Sequence, residues 1–269
     1  MSARPSALTL VRERYVIELK DFTRSREQMI FIFFFPFILL VLLSAMLGNL
    51  AIDGTDVSFT QYLLGGMIAS GIFYTGFQSP AMAIAIDRDR DELKRLRATP
   101  LPAWAYFAGK IAQVLTVSVV QVALLLVMGA VVYGIALPTA ASAWLTFTWI
   151  FLLAIMSSTA LGIAGSSLLR NAKAASAILT PVVLALQFIS GVFYVYTQIP
   201  ATLQHIASFF PLKWIALGMR SVFLPDEFKY AEAAQSWEHP LTAVVLAVWL
   251  VLGLVVAITT FRWQRHDDR

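Results

Sequence analysis

The sequence predicts an all-α polytopic membrane protein with six transmembrane helices. Hydrophobic residues make up 59% of the chain and charged residues only 13%, whereas soluble domains carry about a quarter charged residues. The mean hydropathy is +0.74. The apolar residues fall into six runs, each long enough to cross a bilayer as a helix of about 20 residues. The length of 269 residues fits a single membrane domain over residues 1–269.

The predicted spans are separated by short connections, except for the long one between the fifth and the sixth. They lie at residues 29–50, 62–86, 106–133, 144–169, 174–194 and 241–261. The first contains Pro36, which predicts a kink whose freed carbonyl is satisfied by a neighbouring group or by water. The second is rich in Gly, Ala and Ser, which either lets helices pack closely or lines a conduit.

Residues 7–26 precede the first span and carry an amphipathic pattern. Apolar residues recur every three or four positions, at Leu8, Val11, Tyr15, Leu19 and Phe22. Charged residues lie mainly on the other side, at Arg12, Glu13, Glu18 and Asp21. The pattern predicts a helix in the membrane interface. The alternative is an ordinary cytoplasmic extension that is helical.

The longest charged stretch, residues 87–102, separates the second and third spans. Asp91 and Arg95 are four apart in the favourable acid-first order, and Leu93 and Leu96 form a narrow apolar edge. Two prolines, after Thr99 and Leu101, end the helix. We expect a short helix parallel to the membrane, with a plain solvated loop as the alternative.

Residues 195–224 are too long for a plain loop and too broken for a span. Short helical patterns at 203–210 and 212–224 are split by Pro211, which predicts a re-entrant or interfacial helix pair. Just before them, Gln187 is a lone polar residue at membrane depth. It either bonds a neighbouring helix or contacts the transported molecule.

The distribution of basic residues predicts the orientation. With six spans, all but three of the 20 Lys and Arg residues fall on the side that carries both termini and the charged stretch. The exceptions are Lys213, Arg220 and Lys229. The positive-inside rule places both termini in the cytoplasm.

Several chemistries are absent from the sequence. There is no cysteine and no GxxxxGK[ST] loop, and the three histidines have no metal-ligand spacing. No acid falls in the core of a predicted span, which argues against an ion-driven carrier. We therefore expect no enzyme, no catalytic residue, no metal site and no cofactor in this chain.

Two segments resemble a known family. The first is ELKRLRATPLP at 92–102, followed by Tyr106 and Gly109-Lys110; the second is SGVFY at 190–194, followed by Ile-Pro and FFPLKW. In this order the chain resembles the ABC-2 type permeases, membrane subunits of ATP-binding cassette exporters, and within them the daunorubicin and antibiotic-resistance group. Arg90-Asp91 stands where the family often has Gly-Thr.

The resemblance implies a division of labour. Residues 87–102 would be the coupling helix seated on a cytoplasmic ATPase, and the N-terminal helix would be a second contact. Its coupling residues would be Asp87, Arg90, Asp91, Glu92, Leu93, Arg95, Leu96 and Arg97. Two ATPase subunits would bind ATP and Mg²⁺ beneath two permease copies in a bacterial inner membrane, and the re-entrant pair would cap the outer mouth.

The implied function is export of amphipathic drug-like or lipid molecules, with no nucleic-acid partner. The residues proposed for the route are Gly66, Ser70, Phe73, Gln187, Phe188, Phe193 and Tyr194. Two alternatives stay open: a permease for lipid-linked polysaccharide, and a membrane anchor or sensor that transports nothing.

Overall fold

The computed structural model describes residues 6–48, 50–52, 54–92, 95, 102–169 and 171–260. Over these residues the chain forms helices and turns, with no strand beyond one isolated bridge between Ala51 and Ser58. The predicted all-α polytopic membrane fold is confirmed.

The described residues form ten α-helices. They are α1 (Ala7–Arg24), α2 (Arg26–Leu47), α3 (Phe59–Phe73), α4 (Ser79–Asp89), α5 (Ala103–Tyr133), α6 (Ala141–Ser166), α7 (Ala172–Ile189), α8 (Ala201–Phe209), α9 (Pro211–Phe223) and α10 (His239–Thr260). Three of them begin at polar residues whose side chains accept a hydrogen bond from the first turn: Ser6, Ser58 and Asn171.

Five helices are long and apolar enough to cross a membrane: α2, α5, α6, α7 and α10. The second predicted span is α3 and α4, which are joined without a gap by one π-helical turn, Tyr74–Gln78. A π turn holds one extra residue, so it widens the helix without breaking it. Hydropathy alone does not reveal such a turn.

The bundle has two ends that carry different elements. The charged end carries α1, the last turn of α4 and the connection between α6 and α7. The re-entrant end carries α8 and α9, which meet at 96° where Pro211 begins the second helix. The predicted split at Pro211 is therefore present.

The fifth predicted span is shorter than expected. Helix α7 ends at Ile189, and residues 190–194 form a turn in which Gly191 has a φ of +73°. Only glycine adopts this conformation readily. The turn directs the chain back across the bundle instead of continuing α7 to residue 194.

Helix α3 is the centre of the bundle. All of its residues except Gln61 are buried, and it packs against α2, α5 and α9. By contrast, α2, α7 and α10 expose many apolar side chains. These faces suit contact with lipid, which is as apolar as a leucine side chain.

Candidate coupling site and membrane route

A cluster of buried charges lies at the charged end, where α4 meets α1 and α5. Asp87 accepts a hydrogen bond from the Tyr106 hydroxyl at 2.8 Å. Its Oδ2 atom lies 3.1 Å from Lys110 Nζ and 3.8 Å from an Arg14 nitrogen. We call Arg14, Glu18, Asp87, Tyr106 and Lys110 the charge cluster.

Glu18 completes the charge cluster from α1. Its carboxylate lies 2.9 Å from Lys110 Nζ and also pairs with Arg14, one helical turn earlier. Both cations lie over the Tyr106 ring, with Arg14 Cζ 4.6 Å and Lys110 Nζ 5.0 Å from its centroid. Two cations and the Glu18 carboxylate are thus buried beside the partly buried Asp87, and this pairing of opposite charges is the arrangement that makes burial of charge tolerable.

The position of Glu18 corrects the amphipathic pattern expected for α1. The pattern placed Glu18 on a polar outer face, but Glu18 is only 8% exposed, whereas Leu8, in the predicted apolar stripe, is 83% exposed. The ionic contacts to α5 outweigh the apolar stripe in deciding which side of α1 faces the bundle. Phe22 alone of the predicted stripe is fully buried.

Close packing of α1 on α5 depends on Gly109. A Cβ atom there would lie 2.5 Å from Arg14 Cγ and 3.1 Å from the Tyr15 backbone nitrogen. Both distances are shorter than van der Waals contact, so any side chain would push α1 away from α5. Gly109 therefore holds Arg14 within reach of Tyr106.

Gly109→Ala is expected to destabilise the protein by about 1–3 kcal/mol, because overpacking a tight helix contact forces the backbone to shift. The measurement is the thermal unfolding midpoint in detergent. Gly165→Ala is the matched control, since its Cβ would lie 3.8 Å from the nearest atom, on Phe77. Equal midpoints for the two variants would contradict the close packing of α1 on α5.

Arg88 and Asp89, which follow Asp87, attach α4 to the connection between α6 and α7. Arg88 donates to the carbonyl oxygens of Ser166 and Leu169, at 3.1 and 2.9 Å. The Asp89 carboxylate accepts from the backbone nitrogen of Ala172 at 2.8 Å. Three consecutive residues therefore join the end of α4 to α1, α5, α6 and α7.

The predicted coupling residues lie on both sides of the end of α4. Asp87 belongs to α4, so the span extends beyond the predicted residue 86. Asp91 has a left-handed φ of +57°, and the Arg95 amide donates to its carbonyl at 3.2 Å. Arg90 and Glu92 line the cavity described next. The remaining three, Leu93, Leu96 and Arg97, lie outside the described residues.

A cavity of about 600 Å³ opens beside the charge cluster, between α1, α2, α4 and α5. We call it the vestibule. Its walls carry Glu18, Asp21, Glu27, Asp87, Glu92, Arg24, Arg90 and Lys110, and it reaches inward to Tyr74 and Gln78 on the π turn. Acids outnumber bases five to three in this lining. The volume is in the range of small-molecule sites.

A polar contact satisfies the carbonyl that Pro36 frees within α2. Pro36 cannot donate to the Ile32 carbonyl, and the Gln121 amide of α5 donates to it instead, at 2.7 Å. Thr75 of the π turn donates to the other end of Gln121, at 3.0 Å. The expectation that a neighbour satisfies the carbonyl freed by proline is met within the chain.

The residues proposed for the route do not lie along one surface. Gly66 packs on the backbone of Val192, and Phe73 stacks on Phe77 at 5.2 Å in the core. Ser70 and Gln187 line a small closed pocket against Pro36.

The other three route residues lie at the re-entrant end. Phe188 and Tyr194 are more than half exposed, and Phe193 is buried with its ring 5.1 Å from that of Phe188. Their exposure fits contact with lipid or with another protein surface as well as with cargo.

Arg220 of α9 is fully buried and holds the re-entrant end together. It donates to both Glu232 oxygens, at 2.6 and 3.3 Å, and to the Gly191 carbonyl at 3.1 Å. Its guanidinium lies 4.8 Å from the centroid of the Tyr62 ring. The turn at 190–194, the α9 helix and the following loop are thereby tied to α3.

The loop after α9 has its own polar contacts. Hydrogen bonds from Lys229, at 2.5 Å, and from the Trp237 indole, at 2.9 Å, lower the pKa of Asp226. Lys213 pairs with Glu238 at 3.2 Å and lies 3.5 Å from the centroid of Trp214. These contacts fold the loop over α9.

The sequence analysis missed Arg14, Lys110 and Arg220 as buried residues. Lys110 and Arg220 were counted only as charges beside the membrane. A signal was present for Lys110 and Arg220, because each lies in an apolar helical pattern, where a charged side chain is expected to face a partner inside the protein. Arg14 had no such signal, since Arg12 and Glu13 in the same helix are exposed. The partner itself, Glu18, Asp87 or Glu232, could not be read from spacing because the contacts are long-range.

The family model described as ABC-2 type transporter matches residues 15–224, which is most of the chain. The matched part includes the second half of α1, the charge cluster except Arg14, and the re-entrant helices. The comparison with curated proteins gives no match.

Proposed function

Because this chain belongs to the ABC-2 type transporter family, and is therefore the membrane component of an ABC transporter, we propose that it exports amphipathic drug-like or lipid molecules. A separate ATPase chain, which binds ATP and Mg²⁺, supplies the energy. In this proposal two copies of the chain pair in a bacterial inner membrane, both termini are cytoplasmic, and two ATPase subunits dock on the charged end.

The observation that carries the proposal is the attachment of α4 at residues 87–89. These are the first residues of the predicted coupling segment, 87–102, so a push on that segment reaches α1 and α5 through Asp87. It reaches α6 and α7 through Arg88 and Asp89. A rigid connection of this kind transmits motion because packed elements shift between discrete arrangements.

The π turn gives that motion a place to act inside the bundle. Tyr74–Gln78 separates the buried α3 from the attached α4, and π turns often lie at functional positions. Movement of α4 could thus widen or narrow the vestibule while α3 stays in the core. The same geometry would serve a lipid-linked polysaccharide, which remains the alternative cargo.

The coupling proposal is tested by Leu93→Asp with Leu96→Asp. Exposed ion pairs contribute only about 0–1 kcal/mol, so the two leucines should dominate docking. We expect the tagged wild-type chain to co-purify with an ATPase from mild detergent, and the double variant to insert normally but lose both the ATPase and export.

Tyr230→Asp is the matched control, because Tyr230 is 66% exposed at the re-entrant end. It should keep the ATPase. Normal export by the double variant would refute the role of the leucines. A wild-type chain that purifies without any ATPase would favour the membrane anchor or sensor.

A further inference from the structure

The vestibule and the closed pocket have one lining residue in common. The closed pocket lies between α2, α3, α5 and α7 and has room for about one water, near 10 Å³. Tyr74, the first residue of the π turn, lines both cavities. Its ring therefore stands where the two would join.

Tyr74 is held by ring contacts and not by a hydrogen bond. The ring of Phe31, on α2, lies 5.2 Å from the Tyr74 ring. The Phe31 ring is itself stacked on that of Phe35, also on α2, at 4.7 Å. No hydrogen bond joins the Tyr74 hydroxyl to the described residues. A ring held only by packing can turn aside at modest cost, and Pro36 on the facing wall lets α2 bend.

The closed pocket contains an unused hydrogen-bond acceptor. Gln187 is 3% exposed, and its Oε1 atom has no partner among the described residues. The neighbouring Gln121, by contrast, uses both ends of its amide, on Thr75 and Ile32. A buried acceptor without a donor is costly, so this oxygen is suited to a donor brought in from outside.

We propose that Tyr74 and Phe31 form an aromatic gate between the vestibule and the Gln187 pocket, and that this pocket binds a hydrogen-bond donor group of the transported molecule. The donor is an ammonium or a hydroxyl group, and the excess of acids in the vestibule lining favours the ammonium. The inference rests on the proposed transport function but is tested without ATPase or export.

The absence of cysteine permits a direct test of the gate. Ser70→Cys places one thiol in the closed pocket. It is treated in oriented membrane vesicles with a membrane-impermeant trimethylammonium methanethiosulfonate. We expect Ser70→Cys alone to label slowly. Adding Tyr74→Ala should make labelling about tenfold faster, because an aromatic pair of this kind can slow opening of the gate by up to about tenfold. Tyr74→Phe keeps the ring and should label slowly.

Ser118→Cys is the matched control, because Ser118 is fully buried and lines neither cavity. It should stay unlabelled in every background. If Tyr74→Ala fails to insert, Phe31→Ala removes the other ring and should have the same effect. Unchanged labelling of Ser70→Cys in both backgrounds would overturn the gate, as would equal acceleration of Ser118→Cys, which would indicate general loosening.

The donor site is tested by protection of Ser70→Cys, in the Tyr74→Ala background, with three probes of one chain length. Octylammonium and octanol carry donors, and octyltrimethylammonium carries charge without a donor. We expect protection by octylammonium, or by octanol if a hydroxyl suffices, and loss of that protection after Gln187→Leu. Equal protection by octyltrimethylammonium would overturn the donor site. The labelling needs no partner protein. The gate and donor site can therefore be supported even if no ATPase co-purifies, and they can be refuted even if an ATPase does.

Discussion

Lys110→Met is expected to destabilise the protein by about 3–5 kcal/mol, because removing one partner leaves buried charge uncompensated. Lys110 is 2% exposed and touches both Glu18 and Asp87. After the change, Arg14 faces two carboxylates alone. Since Asp87 lies at the end of α4, export should fall with stability.

The measurement is the unfolding midpoint of purified protein, followed by export in cells. Lys173→Met removes an exposed cation near the same end and should change stability by less than about 0.5 kcal/mol. Adding Glu18→Gln to Lys110→Met removes the excess negative charge and should recover part of the loss. A Lys110→Met midpoint equal to that of Lys173→Met would show that the charge cluster contributes nothing.

Arg220→Met should have a comparable effect at the re-entrant end. It leaves Glu232 buried without its partner and removes the donor to the Gly191 carbonyl, so a loss of about 3–5 kcal/mol is again expected. Arg220→Lys keeps the charge but not the two-point contact, so its stability should lie between that of the wild type and that of Arg220→Met. We expect the turn at 190–194 to loosen, which limited proteolysis of oriented vesicles would detect.

The double variant Arg220→Met with Glu232→Met separates charge from packing. Apolar replacement of both members of a buried ion pair is often neutral, so stability should largely return. Lys229→Met is the local control, because its ion pair with Asp226 is exposed and should contribute nothing measurable. If the double variant is as unstable as Arg220→Met, the Arg220 side chain acts through its shape and not through its charge.

Much of the membrane architecture was predictable from hydropathy and helix-breaking residues. The spans and the split at Pro211 are local properties of the chain. The contact at Pro36 shows where local reasoning stops. The sequence predicted that some group satisfies the freed carbonyl, but only the structure identifies Gln121, 89 positions away, as that group.

The candidate coupling site divides in the same way. Its location after the second span follows from the run of charges, and the family resemblance names its role. The attachments of Asp87, Arg88 and Asp89 to separate helices do not follow, because i, i+3 and i, i+4 spacing describes one helix at a time. The same limit explains why the pattern of α1 placed Glu18 on the outer face, since its ionic partner Lys110 lies on another helix.

The sequence by itself determined that this protein is a helical membrane component, where its spans lie and which segment connects them with a run of charge. The tertiary structure decided which charges are buried, which residue lines both cavities and which buried amide oxygen of α7 lacks a partner among the described residues. The physical reason is range: helix formation and membrane insertion depend on residues within about 20 positions, whereas the charge cluster and the contact of Tyr74 with Phe31 join residues that only folding brings together.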